Sequence, residues 1–415
     1  MLGLMWRGLL VGSLAVAASA AVRADDVVKI GSIYPLTGVA ASAGNYAKQA
    51  IEIGEDIVNS PHPGLEKLLL GEGKGLPNLK GAKIQVDFAD HQGNPSVGQS
   101  QTLRLITEDK VVAMLGAYQS SVSFSATAVA ERYGIPFLVA DSSAPNITGR
   151  GFKWTFRPTP IGTDFAKIYS KFLTELKAQG TKVDNVAFVF ENTDYGTSVS
   201  SVVSDAIKAA GLNVVAMISY SANSTDVSPQ VLQLRDKKPD VVIFISYTAD
   251  AILYMKSMKT LDYKPPIEIA DDSGFSDPAF VTSVGNLAQG VVNRSAWSMG
   301  PPGSPTAIIN ELYKAKSGQN LDDTSGRIMQ GFFVLADAIN RAGSTDPAAI
   351  QKALIATDIK PDQLMMGYNG VKFDETGQNI LASSYLIQLQ GKEYVSVWPA
   401  ANATAKLVLP YKGWE

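Results

Sequence analysis

The chain is expected to fold as an α/β protein of two lobes, each a parallel sheet covered by helices. Three observations predict this. Short apolar runs of strand length alternate with helical periodicity through most of the 415 residues. The series restarts after Pro158-Thr159-Pro160. Hydroxyl-rich segments fall again and again where a strand gives way to a helix. Repeated β–α–β units need helices on both faces of the sheet, which suits strands that are apolar throughout rather than alternating.

In the first series, residues 27–33 form a β-branched run that ends at the turn Pro35-Leu36-Thr37-Gly38. A helix follows over about 45–58, with Ala50, Ile51, Ile53 and Ile57 at helical spacing. Strands are expected at 83–88, 111–115 and 136–139, and helices at 95–108 and 123–133. Between the first helix and second strand, 59–80 is rich in Gly, Pro and Leu and reads as a surface loop. The second series gives helices at 163–178, 196–210, 227–236 and 249–260, interleaved with strands at 186–190, 214–219, 241–245 and 267–270. The last third supplies helices at 324–341 and 346–355. Strands at 384–389 and 394–397 then flank Gly391-Lys392, a hairpin that adds antiparallel edge strands to a parallel sheet.

Composition narrows the function. Apolar residues make up 46% and charged residues 18%, ordinary for a chain with a substantial core. The net charge of −3 does not suit a nucleic-acid partner. There is no cysteine, which excludes disulfides, a thiol nucleophile and a lipidated N-terminal cysteine. The two histidines, His62 and His91, are too far apart in sequence for a zinc-protease helix. No Gly-x-Ser-x-Gly elbow occurs, and Gly71-Glu72-Gly73-Lys74-Gly75 lacks the spacing of a phosphate loop. Neither an enzyme nor a cofactor- or metal-dependent protein is expected. The first 24 residues read as a signal peptide: Arg7, an apolar stretch over 8–17, then small residues. Cleavage fits after Ala20 or Ala24, and Ala24 leaves Asp25-Asp26 opening a polar mature terminus.

Ligands of open α/β sheets bind beyond the carboxyl ends of the strands, which singles out five loops. Tyr118, Gln119 and Ser120 follow the strand at 111–115; the serines there either cap a helix or donate to an anion. Asp141, Ser142 and Ser143 follow the strand at 136–139, as a self-satisfied turn or as a clamp for both ends of a zwitterion. Tyr195 stands in Asn192-Thr193-Asp194-Tyr195-Gly196, and Tyr247 in Ser246-Tyr247-Thr248. Asp271 and Asp272 could hold an ammonium group or form a solvated turn. Five such loops in succession point to a cleft built from hydroxyls, helix-start amides and tyrosines, without arginine.

Three blocks resemble the branched-chain amino-acid (Leu/Ile/Val) group of periplasmic binding proteins. They are Ile30-Gly31-Ser32-Ile33-Tyr34-Pro35-Leu36-Thr37-Gly38, the segment 115–143 with its Gly-x-x-x-Ser and Ser-Ala-Pro turns, and Asp194-Tyr195-Gly196. The likeness continues through Tyr247 to Lys372-Phe373-Asp374-Glu375-Thr376-Gly377. It implies a type I, Venus-flytrap architecture of two Rossmann-like lobes joined by a three-stranded hinge. Crossings would fall near 158–160, 292–298 and 367–371, dividing the chain into 25–158 with 297–369 and 159–296 with 370–415. The resemblance implies a periplasmic monomer that captures a branched-chain or other hydrophobic amino acid and delivers it to an inner-membrane ABC permease. The alternatives are an aromatic or other carboxylate, an amide or urea, or a sensor for a membrane receptor. It assigns a ligand carboxylate to Ser120 and Ser143, an amine to Asp141, Asp271 or Asp272, and pocket walls to Tyr118, Tyr195 and Tyr247. One departure is Ala41-Ser42-Ala43, where relatives carry an aromatic; this leaves room for a bulkier ligand or for Tyr34 as a wall. Another is Gln119, where relatives carry cysteine.

Overall fold

A computed structural model describes residues 27–271 and 273–414. The expected signal peptide and cleavage point, and Asp272, lie outside the described residues. The first sheet is wound from β1 (Val27–Tyr34), β2 (Lys83–Asp90), β3 (Ala113–Gly116), β4 (Phe137–Val139) and β5 (Thr155–Phe156), with α1 (Ala41–Asn59), α2 (Pro95–Thr107) and α3 (Ser120–Tyr133) between them. Its strands are all parallel in the order β2-β1-β3-β4-β5.

The second sheet repeats the scheme with α4 (Gly162–Ala178), β6 (Asn185–Glu191), α5 (Asp194–Ala209), β7 (Asn213–Tyr220), α6 (Ser228–Lys237) and β8 (Val241–Ile245). It continues through α7 (Thr248–Thr260), β9 (Ile267–Ala270), α8 (Ser273–Ser276), α9 (Pro278–Val284) and β10 (Val292–Ser295). The chain then returns to the first lobe as α10 (Pro305–Ser317), α11 (Asp323–Ala342) and α12 (Pro347–Ile355), with α11 packed on α1. A two-stranded ribbon, β11 (Asp358–Ile359) with β12 (Val371–Lys372), precedes the hairpin of β13 (Tyr385–Gln390) and β14 (Glu393–Trp398). The full order of the second sheet is β14-β13-β10-β9-β8-β6-β7. The hairpin supplies its two antiparallel edge strands. Both parallel sets thus have the chain order 2-1-3-4-5, whose switch point lies beside the first strand and opens a crevice at the carboxyl ends.

Several expectations change. The helix α10 is absent from the sequence reading, although its signals are present: Ser304 accepts from the Ala307 amide at 3.2 Å, Pro305 occupies the first turn and Gly318 ends it at φ +75°. The segment 59–80 is irregular but is no surface excursion. Leu65, Leu68, Leu69, Leu76 and Leu79 are buried in the main core, and the Asn78 amide donates to Asn340 Oδ1 on α11 at 2.9 Å. β10 escaped notice because Asn293 and Arg294 interrupt its apolar pattern, yet all four of its residues are buried. The third passage between lobes is longer than 367–371. Val371–Lys372 still pairs with Asp358–Ile359, and 373–384 carries the chain to the second sheet past Arg157, which forms a parallel bridge with Gln378.

One buried acid has a measurable consequence. Glu268 on β9 is fully buried beside Tyr263 and Tyr411, and desolvation pushes its carboxyl up to about 8. The folded state therefore holds this proton more tightly than the unfolded chain does. Its favourable contribution is complete below about pH 4.5 and is lost as pH rises through about 8, a loss on the order of 3–5 kcal/mol. Glu268→Gln is expected to raise the melting temperature at pH 8.5 and to change it little at pH 5, measured by differential scanning calorimetry.

Candidate ligand-binding site

The carboxyl ends of the two sheets face one another across a cleft. Seven side chains line its central pocket: Tyr118, Ser120, Asp141, Ser143, Tyr195, Tyr247 and Arg327, around about 240 Å³ of empty space that includes the part open to solvent. Six of the seven were expected from sequence. Arg327 was not, and the expectation of a cleft without arginine is corrected by it.

The loop after β3 is held from several sides. Tyr118 has φ +75°, a left-handed conformation unfavourable for a bulky residue. Its amide donates to Asp141 Oδ1 at 3.2 Å, and its carbonyl accepts from Ser142 Oγ at 2.9 Å. The helix α3 starts at Ser120, three residues earlier than its periodicity suggests, which brings its N-terminal turn to the pocket. No serine caps it: Gln119 occupies the N-cap without a side-chain bond. Ser120 Oγ instead accepts from the Ala144 amide at 3.3 Å, joining the two loops of the first lobe. His91 braces the same loop, with Nε2 donating to the Ala117 carbonyl at 2.8 Å and Nδ1 accepting from the Gly93 amide at 3.0 Å. Burial pulls its imidazolium down to about 4, so the ring is neutral. With both ring nitrogens engaged by backbone, it is not poised to activate a serine.

Two expected contacts fall outside the lining. Ser142 Oγ bonds Tyr118 O and Ser123 Oγ within the loop pair, and Gln119 lies outside the lining. A third residue, Asp271, is fully buried below the pocket. It accepts from Tyr169 Oη at 2.6 Å, from Tyr195 Oη at 3.0 Å and from Arg294 Nε at 3.2 Å. That carboxylate is occupied by its own lobe, and the expectation that it takes a ligand amine is corrected. Tyr34 is fully buried and is not among the seven lining residues, although its phenol lies near Asp141 and Arg327.

In the second lobe, Tyr195 and Gly196 open α5. A Cβ at Gly196 would stand 2.0 Å from Glu191 O, so only glycine lets the helix lie this close to β6. The buried Glu191 accepts from the Gly196 amide at 2.6 Å and from Thr193 Oγ1 at 2.8 Å, fixing this turn. Tyr247 lies between the other two tyrosines, its ring centroid 5.5 Å from Tyr118 of the opposite lobe and 5.4 Å from Tyr195.

Charge runs behind the pocket as an alternating series. Arg327 Nε pairs with Asp323 Oδ2 at 2.9 Å, Arg294 Nη1 lies 4.0 Å from the same oxygen, and Arg294 Nε reaches Asp271. Arg327 Nη1 also donates to Asp141 O at 3.0 Å and to Thr159 Oγ1 at 3.3 Å, tying the pocket to the first crossing. Arg157 at that crossing donates to Ser142 O, Ala144 O and Gln378 Oε1 at 2.9, 2.8 and 2.7 Å. At the mouth, Ser42 Oγ donates to Asp277 Oδ1 at 3.1 Å and Ser276 meets Thr324 at 3.2 Å, so the lobes touch. Ala43 lines a second, smaller space beside Asp277 and Asp322. Among the described residues no helix is long and apolar enough to cross a membrane, and no cluster of acids and histidines is arranged to hold a metal ion.

The family model described as periplasmic binding protein matches residues 27–393. Leu/Ile/Val-binding protein homolog 7 of Brucella suis biovar 1 (strain 1330) is 30% identical over 423 residues, covering 98% of this chain and all of that one. Among solved structures, the branched-chain amino acid transporter substrate binding protein of Streptococcus pneumoniae, in complex with isoleucine, superposes with a TM-score of 0.76. It is 19% identical, and the match covers 93% of this chain and 100% of that one. A solute binding protein of an ABC transporter from Rhodopseudomonas palustris BisB5, in complex with 3,4-dihydroxy benzoic acid, gives 0.74 at 20% identity, covering 94% of this chain and 99% of that one. With a family match spanning most of its length and a full-length relative at this identity, the chain belongs to the periplasmic binding proteins, in their branched-chain amino-acid (Leu/Ile/Val) group.

Proposed function

We propose that this protein is the periplasmic solute-binding component of an ABC importer, a monomer whose lobes close on one small carboxylate-bearing solute and present it to an inner-membrane permease. The observation that carries the reading is the convergence of loops from both sheets, and of α11, on one pocket at the strand ends. Lobe one comprises 25–158 with 297–372 and lobe two the remainder, reached through 373–384, with the leader removed near Ala24. Ser120, Ser143 and the first turn of α3 receive the carboxylate, favoured by the helix dipole and its unpaired amides. Asp141, in the same loop as Ser143, is the acid available to an amine, and the three tyrosines enclose the rest of the ligand. Closure follows from contacts to both lobes, which stabilise the shut state over the open one.

The names of the relatives suggest branched-chain amino acids, while the lining argues for a more polar solute. The second reading, an aromatic carboxylate, is favoured by Arg327 and three tyrosine faces in the lining. Titration calorimetry against the amino acids and benzoates tests the proposal: one saturable site is expected, and no heat or thermal shift with any of them would sink it. Ser120→Ala is expected to weaken binding about tenfold, the worth of one hydrogen bond to a charged group. Unchanged affinity would contradict carboxylate recognition at this loop.

A further inference from the structure

We propose that the pocket selects a ligand that is polar along its whole length and disfavours the aliphatic side chains of leucine, isoleucine and valine. This deepens the proposed function and rests on it.

The argument begins with what the lining lacks. Its seven side chains are three phenols, two hydroxyls, a carboxylate and a guanidinium, and none is aliphatic. The abundant Leu, Ile and Val of the two lobes are spent in the cores behind the sheets. With Ser120, Ser143 and Asp141 given to the ligand's carboxylate and amine, its side chain meets the phenols and Arg327, and an isobutyl or sec-butyl group there would cover polar atoms without replacing their bonds to water. Each buried polar atom so stranded opposes binding, whereas a ligand hydroxyl, amide or ring hydroxyl at the same place would partner it.

Two residues sharpen the point. Arg327 is buried and charged, held at the pocket by Asp323, by the Asp141 carbonyl and by Thr159 Oγ1 of the first crossing. It cannot turn away to let an apolar group pass. Tyr247 is also buried, and its hydroxyl makes no well-formed hydrogen bond to the described residues, the Thr193 side chain offering it only a weak one. A buried hydroxyl of this kind usually has a partner, and here the ligand is the group that can supply one. The rings of Tyr118, Tyr195 and Tyr247 offer flat faces to the middle of the ligand, and these accept an aromatic or a short polar chain alike.

Pairs of equal shape separate polarity from size. Threonine against valine, asparagine against leucine, and 3,4-dihydroxybenzoate against benzoate are titrated into the purified protein by calorimetry. In the pair that binds most tightly, the polar member is expected to bind at least tenfold better, as a site built to hydrogen-bond a group rejects the analogue that lacks it. Tyr247→Phe, which keeps the ring, is expected to narrow that ratio, and a ratio unchanged in this variant would remove Tyr247 from the account. Valine, leucine or benzoate binding as well as or better than its partner would overturn the inference while leaving solute capture intact. If no member of any pair binds, the carboxylate reading falls together with it.

Discussion

Asp323→Ala is expected to destabilise the protein by about 3–5 kcal/mol, the usual consequence of removing one partner from a buried ionic group. Asp323 Oδ1 accepts from the Ala296 amide at 2.5 Å, from Ser295 Oγ at 3.0 Å and from the Trp297 amide at 3.2 Å, all in the second crossing. Its other oxygen faces Arg327 and Arg294. The substitution removes the carboxylate paired with buried Arg327, leaves Asp271 as the acid beside Arg294, and loosens a passage between lobes. Asp323→Asn keeps the shape and part of the bonding, and its loss should be roughly half as large. Urea unfolding gives both numbers from the midpoint at constant slope. A loss below about 1 kcal/mol for the alanine variant would mean that the charge series contributes little.

The second large effect concerns Arg327 itself. Arg327→Leu removes the one guanidinium in the lining, and the affinity for a carboxylate ligand is expected to fall about 100-fold, near the upper range for charge-assisted bonds. Arg327→Lys keeps the charge but not the planar fork, and a loss of about tenfold is expected. Calorimetric dissociation constants measure both, and the order of the two variants carries the information. Equal losses would show that the fork geometry matters and the charge alone does not. No loss in either would take Arg327 out of ligand recognition.

Much of this site was legible in sequence because of a topological regularity. In a parallel sheet the ligand meets the turns after the strands, so Tyr118, Ser120, Asp141, Ser143, Tyr195 and Tyr247 could be chosen by position alone. What position could not reveal was which polar residues are consumed internally. Asp271 follows β9 as a ligand acid would, but its partner Arg294 sits in a strand whose polar residues conceal it, and the pair forms only in the folded sheet. Ser142 looks like Ser143 in sequence, yet successive residues of a turn point to different sides, and one is bound into the loop while the other reaches the pocket. Arg327 left no local signal. It lies on α11, buried along most of its length, and such a helix has no single polar stripe to mark a functional face. Only the return of the chain from β10 to the first lobe brings it to the cleft. The leucines of 59–80 were missed for a related reason: irregular backbone carries no periodicity, so its burial depends wholly on the helices it covers.

Closure on a ligand is the central claim, and the absence of cysteine makes it directly measurable. Leu103→Cys on α2 and Leu232→Cys on α6 place one label on each lobe at exposed positions. Distances between spin labels are then recorded with and without saturating ligand, taken from the calorimetric panel. A bound state that is shorter and narrower in distribution than the unliganded state is predicted. A distribution that ligand leaves unchanged, while calorimetry shows the site filled, would contradict capture by lobe closure.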